Sequence, residues 1–297
     1  MSNKPKILVI LGPTASGKSS LAVRLAKKFG GEVISADSRQ IYHHLNIGSG
    51  KITPREMSGV SHHLLSTFSP RRLVTAADFQ KRARRAVSAI LRHHHLPIIA
   101  GGTGFYIDTL LNMPPLPNVK PNLRLRASLS KKSVAELFLL LKKLDPVRAR
   151  FIDRHNPHRL LRAIEIVKAT GRPVPPPVFS PAYTTLKVGL SPSPAKLKKL
   201  ITARTRSMLR RGLVKEVQNL HLKQKLSWLK IESFGLIYRE TALFLQNKIS
   251  RSELINLINL HTYQYAKRQL TWWRRQKDIH WLKTSHPAIS LLKKFLK

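Results

Sequence analysis

The sequence contains no cysteine, which excludes disulfide frameworks and thiolate metal sites. Acids are scarce: 14 Asp and Glu stand against 54 Lys and Arg, a formal charge of +40. Such a field draws in polyanions, nucleic acid first among them, with binding that weakens steeply as salt rises. Net charge does not locate a binding face, and a basic bias that is merely solvated would give the same count. No apolar run approaches the length of a membrane-spanning helix, so no membrane partner is expected. Met1-Ser2-Asn3-Lys4-Pro5 runs into a strand with no small-residue cleavage site, so no signal peptide is expected. The expectation is a soluble, cytoplasmic protein acting as a monomer, with a hydrophobic content of 42%, enough for a proper core.

The shortage of acids makes each one open to inspection. Glu165 is placed to pair with Arg162 three residues earlier on a helix. Glu216 and Glu240 have basic neighbours on predicted helices, and Asp78 follows Thr75 at the spacing of a helix start. Asp37 stands apart.

What the chain does carry is concentrated near its start. Gly12-Pro13-Thr14-Ala15-Ser16-Gly17-Lys18-Ser19 matches G-x-x-x-x-G-K-[ST], the phosphate-cradling loop. It follows a buried-strand run, Lys6 to Leu11, and precedes an amphipathic segment, Ser20 to Phe29. Backbone N–H groups and the helix N-terminus favour an anion there, Lys18 adds a full charge, and the Ser19 hydroxyl can ligate Mg²⁺. A loop of this kind also admits a nucleotide such as ATP.

Glu32 to Ala36 reads as a second strand, ending at Asp37-Ser38-Arg39-Gln40. Residues just past strand C-termini face the ligand crevice of an open α/β sheet, so Asp37 and the phosphate loop should share an edge. A basic helix from Thr75 to His95, with Phe79, Ala83, Ala86 and Ile90 on one face, leads to a third strand, Leu96 to Ala100. That strand ends in Gly101-Gly102-Thr103 rather than an acid, which argues against a motor-type ATPase. The alternation predicts an α/β fold: a P-loop NTPase-like parallel sheet flanked by helices. A small helical insertion is expected over residues 113–183. The core would then comprise residues 1–112 and 184–297, with a strand at Lys187 to Leu190 and two or three helices to the end.

Lys267-Arg268-Gln269-Leu270-Thr271-Trp272-Trp273-Arg274 reads as a helix with buried tryptophans and basic outer faces rather than an RNA-stacking platform. His43-His44, His62-His63 and His93 to His95 have no acid or cysteine at ligand spacing; the last run suits a helix C-terminus.

Taken together these residues resemble the tRNA dimethylallyltransferase family. The matches are G-P-T-A-S-G-K-S at 12–19, S-A-D-S-R-Q-I-Y at 35–42, H-H-L at 62–64 and G-G-T-G-F-Y at 101–106. They continue with N-P-H-R-L-L-R-A-I-E-I at 156–166, R-x-x-x-M-L-x-x-G-L-x-x-E-V at 204–217 and K-R-Q-L-T-W-W at 267–273, nearly the whole chain. The resemblance implies Mg²⁺-dependent transfer of a dimethylallyl group from dimethylallyl diphosphate to N6 of the tRNA adenosine just 3′ of the anticodon. It implies that Asp37 is the general base and that the Thr14 hydroxyl lies near the breaking bond. Gly12 to Ser19 and Arg204 would bind the diphosphate, with Mg²⁺ at Ser19. Asp37, Ser38, Arg39, Gln40, Thr103, Arg126, His158, Arg159, Leu160, Leu161 and Arg162 would meet the anticodon stem-loop; Arg124 competes with Arg126 in alignment, and Leu160 and Leu161 should pack inward.

The chain departs from the family pattern with Ser19 for a common Thr, serines among residues 64–70 and Ser191 for acids, and Ile237 for a Gly. On the residues alone two rivals stay open: a P-loop small-molecule or nucleotide kinase, and a non-catalytic basic RNA-binding protein.

Overall fold

The computed structural model describes residues 4–112, 114, 116–117, 119–174, 179, 181–284 and 287–297. The chain divides into two compact units, residues 1–112 with 181–297, and residues 113–180. The sequence-based boundary after residue 183 is therefore three residues late. Ala182 donates its N–H to the Leu111 carbonyl (3.2 Å) and Thr184 donates to Pro5 (3.0 Å), which ties this stretch to the first unit.

The first unit begins with β1 (Lys6–Leu11), α1 (Lys18–Phe29), β2 (Gly31–Ala36), α2 (Pro54–Met57), β3 (His62–His63), α3 (Ala76–Arg92), β4 (Leu96–Gly101) and α4 (Gly104–Asn112). The second unit holds α5 (Leu123–Leu129), α6 (Val134–Leu144), α7 (Pro146–Phe151) and α8 (Pro157–Thr170). The first unit resumes with β5 (Thr184–Leu190), α9 (Pro194–Arg210), α10 (Leu213–Leu222), α11 (Trp228–Glu232), α12 (Leu236–Leu245), α13 (Arg251–Arg274), β6 (Ile279–Leu282) and α14 (Pro287–Leu296). Among the described residues six helices follow β5 where two or three were expected. Short breaks such as the Gly212 cap (φ 92) before α10 divide what reads in sequence as continuous helix.

Among the described residues the sheet has six parallel strands in the order β3-β2-β4-β1-β5-β6. Its centre, β1, is apolar on both faces, and period-2 alternation divides it between two cores. Ile7, Val9 and Leu11 join the cluster packed by α3, α4 and the C-terminal helices. Leu8 and Ile10 join the cluster packed by α1 and α14. The expected apolar face of α3 is buried, and Thr75 and Asp78 form its capping box. That helix ends at Arg92, three residues early, because His94 takes a left-handed conformation (φ 56) that turns the chain into β4. β3 and β6 have no counterpart in the sequence reading. Two residues and four are too few for periodicity, and both are edge strands fixed by a neighbour.

The second unit carries its own core of Leu129, Leu137, Leu141, Leu160, Ala163 and Ile164. Buried Asp145 caps α7 through the Arg148 amide (2.8 Å) and also accepts from the Val174 amide (2.7 Å). Among the described residues, no helix is long and apolar enough to cross a membrane.

Candidate active site

In an open parallel sheet the loops after the strands gather at one edge. Here the C-termini of β1, β2 and β4 deliver the phosphate loop, Asp37 and Gly101-Gly102-Thr103 to that edge. The loop is held in an unusual backbone. Gly12 (φ 140) admits no side chain, since a Cβ there would lie 2.6 Å from the Leu190 carbonyl oxygen. Ala15 (φ 64) and Gly17 (φ 89) are left-handed, an alternation that turns successive N–H groups inward. The first amides of α1 have no partner within the helix. The Ser16 Oγ is buried and lacks a hydrogen-bond partner, as a cradle awaiting an anion would leave it.

Lys18 donates from Nζ to the Pro13 carbonyl (2.6 Å). Burial pushes its pKa down to about 7; Arg204 pushes the same way and Asp37 opposes. Arg204, from α9, donates to the Thr14 hydroxyl (3.2 Å) and reaches the Ser49 carbonyl (3.5 Å). Burial lowers its pKa, and Asp37 opposes that too. Two desolvated cations therefore share Asp37, with Glu56 a lesser influence on Arg204, an imbalance that an anionic ligand would relieve.

Asp37 Oδ1 accepts from the backbone amides of Arg39 (2.8 Å) and Gln40 (3.3 Å), an Asx-type turn that orients the carboxylate. Both bonds fall on one oxygen, leaving Oδ2 available for chemistry. The Thr103 hydroxyl accepts from the Ser38 amide (3.2 Å). Gln40 accepts from the Ser35 hydroxyl (3.0 Å) and donates to the Ser49 and Gly50 carbonyls (3.4 and 3.2 Å).

Two cavities meet here. One, about 170 Å³, is lined by Thr14 to Ser20, Asp37, Gln40, Gly101, Gly102 and Arg204. The other, about 200 Å³, is lined by Asp37, Ser38, Arg39, Phe234, Tyr238 and their neighbours. Thr14, Asp37, Ser49, Arg204 and Tyr265 line both. The first is a polar phosphate chamber; the second has aromatic walls suited to a planar base.

Sequence reading missed Ser49, Tyr265 and Gln269. Buried Gln269 accepts from the Thr14 amide (2.8 Å) and donates to the Gly102 carbonyl (2.9 Å), joining the phosphate loop to the end of β4. Its signal lies in the K-R-Q-L-T-W-W run at 267–273, three and four residues before the two tryptophans. Trp273 is fully buried, and Trp272 donates to Asp108 (2.9 Å), so neither forms a solvent-facing platform. Burial pushes the Tyr265 hydroxyl up to about 12.

The remaining candidates lie in the second unit. Arg126 holds Glu165 through both Nε (2.9 Å) and Nη2 (2.8 Å), and Arg162 pairs with the same carboxylate, as its spacing predicts. Leu160 is buried and Leu161 packs beside it, in line with the expectation. His158 and Arg159 are exposed at the start of α8.

The histidine runs do meet an acid, one far away in sequence. Glu32 accepts from His63 Nε2 (2.6 Å) and His95 Nδ1 (2.7 Å). Among the described residues no His, Cys, Asp and Glu cluster has the arrangement of a metal site. Ser19 and Asp37 nevertheless offer hard oxygen donors on one cavity, a set that suits Mg²⁺ with most of its water retained.

A parallel sheet with an anion cradle and a carboxylate sharing its C-terminal edge defines a phosphate-binding α/β protein of the P-loop class. Comparison narrows the class. The IPP transferase family model matches residues 40–276, and the chain belongs to that family. A tRNA dimethylallyltransferase of Microcystis aeruginosa is 40% identical, over 94% of this chain and 88% of that protein. One from Pediococcus pentosaceus is 38% identical, over 93% and 90%. The crystal structure of a tRNA delta(2)-isopentenylpyrophosphate transferase from Staphylococcus epidermidis superposes with a TM-score of 0.72 at 32% identity, covering 99% of both chains. A eukaryotic dimethylallyltransferase acting on tRNA superposes with a TM-score of 0.84 at 27% identity, over 98% of this chain and 79% of its own.

Proposed function

We propose that the protein transfers a dimethylallyl group from dimethylallyl diphosphate to N6 of the adenosine 3′-adjacent to the anticodon of tRNA. The observation that carries this reading is the shared lining: Thr14, Asp37 and Arg204 border both the phosphate chamber and the aromatic one. A donor in the first and a base in the second would meet at Asp37.

The N6 lone pair is delocalised into the adenine ring, so the amine needs help. Asp37 aligns it and accepts its proton as the new N6–C1 bond forms. The C1–O bond breaks, and its electron pair leaves with the diphosphate. Thr14, oriented by Arg204, lies beside the leaving oxygen, while Lys18, Arg204 and the loop amides take up the charge that develops. Mg²⁺ at Ser19, when bound, neutralises further diphosphate charge. The base must leave its stack to enter; Ser38 and Arg39 line the cavity it would fill, Thr103 accepts from the Ser38 amide, and Gln40 lines the adjoining phosphate chamber. His158, Arg159 and the helix behind them would grip the stem-loop. A monomer working in the cytoplasm completes the reading.

Mass spectrometry of tRNA nucleosides after incubation with donor and Mg²⁺ tests it. Isopentenyl-adenosine should appear, and Asp37→Asn should lower kcat by about 10²–10⁴-fold. Phosphate transfer from ATP to a small acceptor would favour a kinase. Salt-sensitive tRNA binding untouched by Lys18→Ala, with no product, would favour a binding protein.

A further inference from the structure

Glu216 has no part in the mechanism above, yet its carboxylate is the most heavily engaged group around the loop after Tyr42. Its basic neighbours on α10 do not account for it. Oε2 accepts from the backbone amides of Asn46 (3.0 Å) and Ile47 (2.7 Å), and Oε1 accepts from the Gly48 amide (2.9 Å). The Tyr238 hydroxyl, from α12, donates to Oε1 as well (3.0 Å). Three successive N–H groups converging on one carboxylate form an anion nest filled by the protein's own side chain.

The loop beyond that nest is what the site leans on. The Ser49 and Gly50 carbonyls receive the Gln40 amide, and the Ser49 carbonyl also receives Arg204. The Arg204 guanidinium lies directly against this turn: a Cβ at Gly50 (φ 58) would lie 1.5 Å from Arg204 Nη2. Lys51, next along, is buried and donates to the Tyr42 carbonyl (2.7 Å), Asn46 Oδ1 (3.0 Å) and Ser66 Oγ (2.7 Å), which fixes the far end. At the near end, turn bonds from the Ser49 hydroxyl to the Leu45 carbonyl (2.6 Å) and from the Gly50 and Lys51 amides to Ile47 and Asn46 (2.9 Å each) close the loop on itself, and Glu216 anchors it to α10.

We propose that Glu216 is a positioning residue for both substrates: by pinning amides 46–48 it holds the Ser49 and Gly50 carbonyls where they fix Gln40 on the wall of the phosphate chamber and Arg204 on the wall that both chambers share. This rests on the transferase reading for the identity of the substrates. The contact network stands without it. A residue that touches neither substrate would thereby couple the two chambers through one strut of backbone.

The test uses the full chain with Glu216→Ala, Glu216→Gln and Tyr238→Phe. Steady-state kinetics with tRNA and dimethylallyl diphosphate are read beside calorimetric binding of inorganic diphosphate and amide exchange over residues 46–50. Glu216→Ala should lower kcat/KM by about 10²-fold, the cost of misplacing reacting groups by about 1 Å. KM should rise for both substrates, diphosphate binding should weaken by about tenfold, and exchange at 46–48 should quicken. Glu216→Gln keeps one acceptor oxygen and should lie between Ala and wild type. Tyr238→Phe should show a smaller loss in the same direction. Should Glu216→Ala fail to fold, Gln and Phe carry the test. Wild-type kinetics and diphosphate binding in the folded variants overturn the proposal. So do losses that follow melting temperature instead of the order Ala, Gln, Phe. If the wild-type protein makes no prenylated nucleoside, the transferase reading falls by itself; weakened diphosphate binding in the variants would still support the strut, and unchanged binding would end it.

Discussion

Arg204 in the first unit and Arg126 in the second are the same side chain in opposite electrostatic states. Arg126 meets Glu165 in a two-point fork, and that contact raises its pKa. Arg204 meets a hydroxyl and a carbonyl, and burial lowers its pKa. One cation is neutralised by the fold; the other is left for a ligand. The lesson concerns the charge of +40. The excess does not mark function by itself. What matters is which cations are buried without a carboxylate of their own, because those hold unspent electrostatic free energy that only an anion can release.

The sharpest way to break this contrast is Asp37→Asn, which removes the carboxylate that acts on both Lys18 and Arg204. Turnover should fall by about 10²–10⁴-fold in a tRNA prenylation assay, while diphosphate affinity is kept or improved. A joint loss of both would mean that Asp37 serves binding instead of proton transfer. Next in size is the arginine pair itself. Arg204→Met should lower kcat/KM for the donor by about 10²-fold, and Arg126→Met should leave donor KM within about twofold of wild type. Equal effects on donor KM would erase the distinction. Glu216→Ala falls in the same range as Arg204→Met and extends the contrast to a carboxylate bonded by backbone amides and a tyrosine instead of by an arginine fork.

On the side of the second unit, Glu165→Ala should cost that unit about 2 kcal/mol. It leaves two partly exposed arginines facing one another, and water softens the penalty of a fully buried pair. Hydrogen exchange in α5 and α8 should register the loss, with the phosphate loop unaffected. The smallest effect is acid lability. Burial alone would raise the Glu165 carboxyl, but bonds from Arg126, Arg162 and the Asn122 amide outweigh it and hold the pKa at about 2, below its ordinary 4.5. Glu32 is lowered as well, the His95 and His63 bonds outweighing burial. A depressed carboxyl binds fewer protons folded than unfolded, so its stabilisation is complete above about pH 4.5 and is lost as pH falls toward 2. Thermal melts from pH 6 to pH 2 should show this loss, and Glu165→Gln should flatten the part that belongs to the second unit.

Much of the site was legible in the chain. The loop at 12–19 announces itself because a phosphate cradle needs glycine at fixed places, and Asp37 could be found because strand ends in a parallel sheet face the ligand. Arg162 was legible as a partner of Glu165 from its spacing, but Arg126 as a second partner of that carboxylate was not. The Arg126 bond joins α5 to α8 across 39 residues, a distance that helix periodicity does not reach. Glu32 and its histidines escaped for the same reason, lying 31 and 63 residues apart. The aromatic chamber was invisible because Phe234, Tyr238 and Tyr265 look, in sequence, like any core aromatics.

The sequence alone determined the local chemistry: which loop can cradle a phosphate, which strands are buried on both faces, where helices begin, and how few acids exist to balance the cations. These are properties of short windows, fixed by backbone sterics and side-chain periodicity. Only the tertiary structure decided which cation each acid meets, and so which cations remain unpaired. Coulomb attraction depends on separation in space and on exclusion of water, and neither is written in the order of residues along the chain.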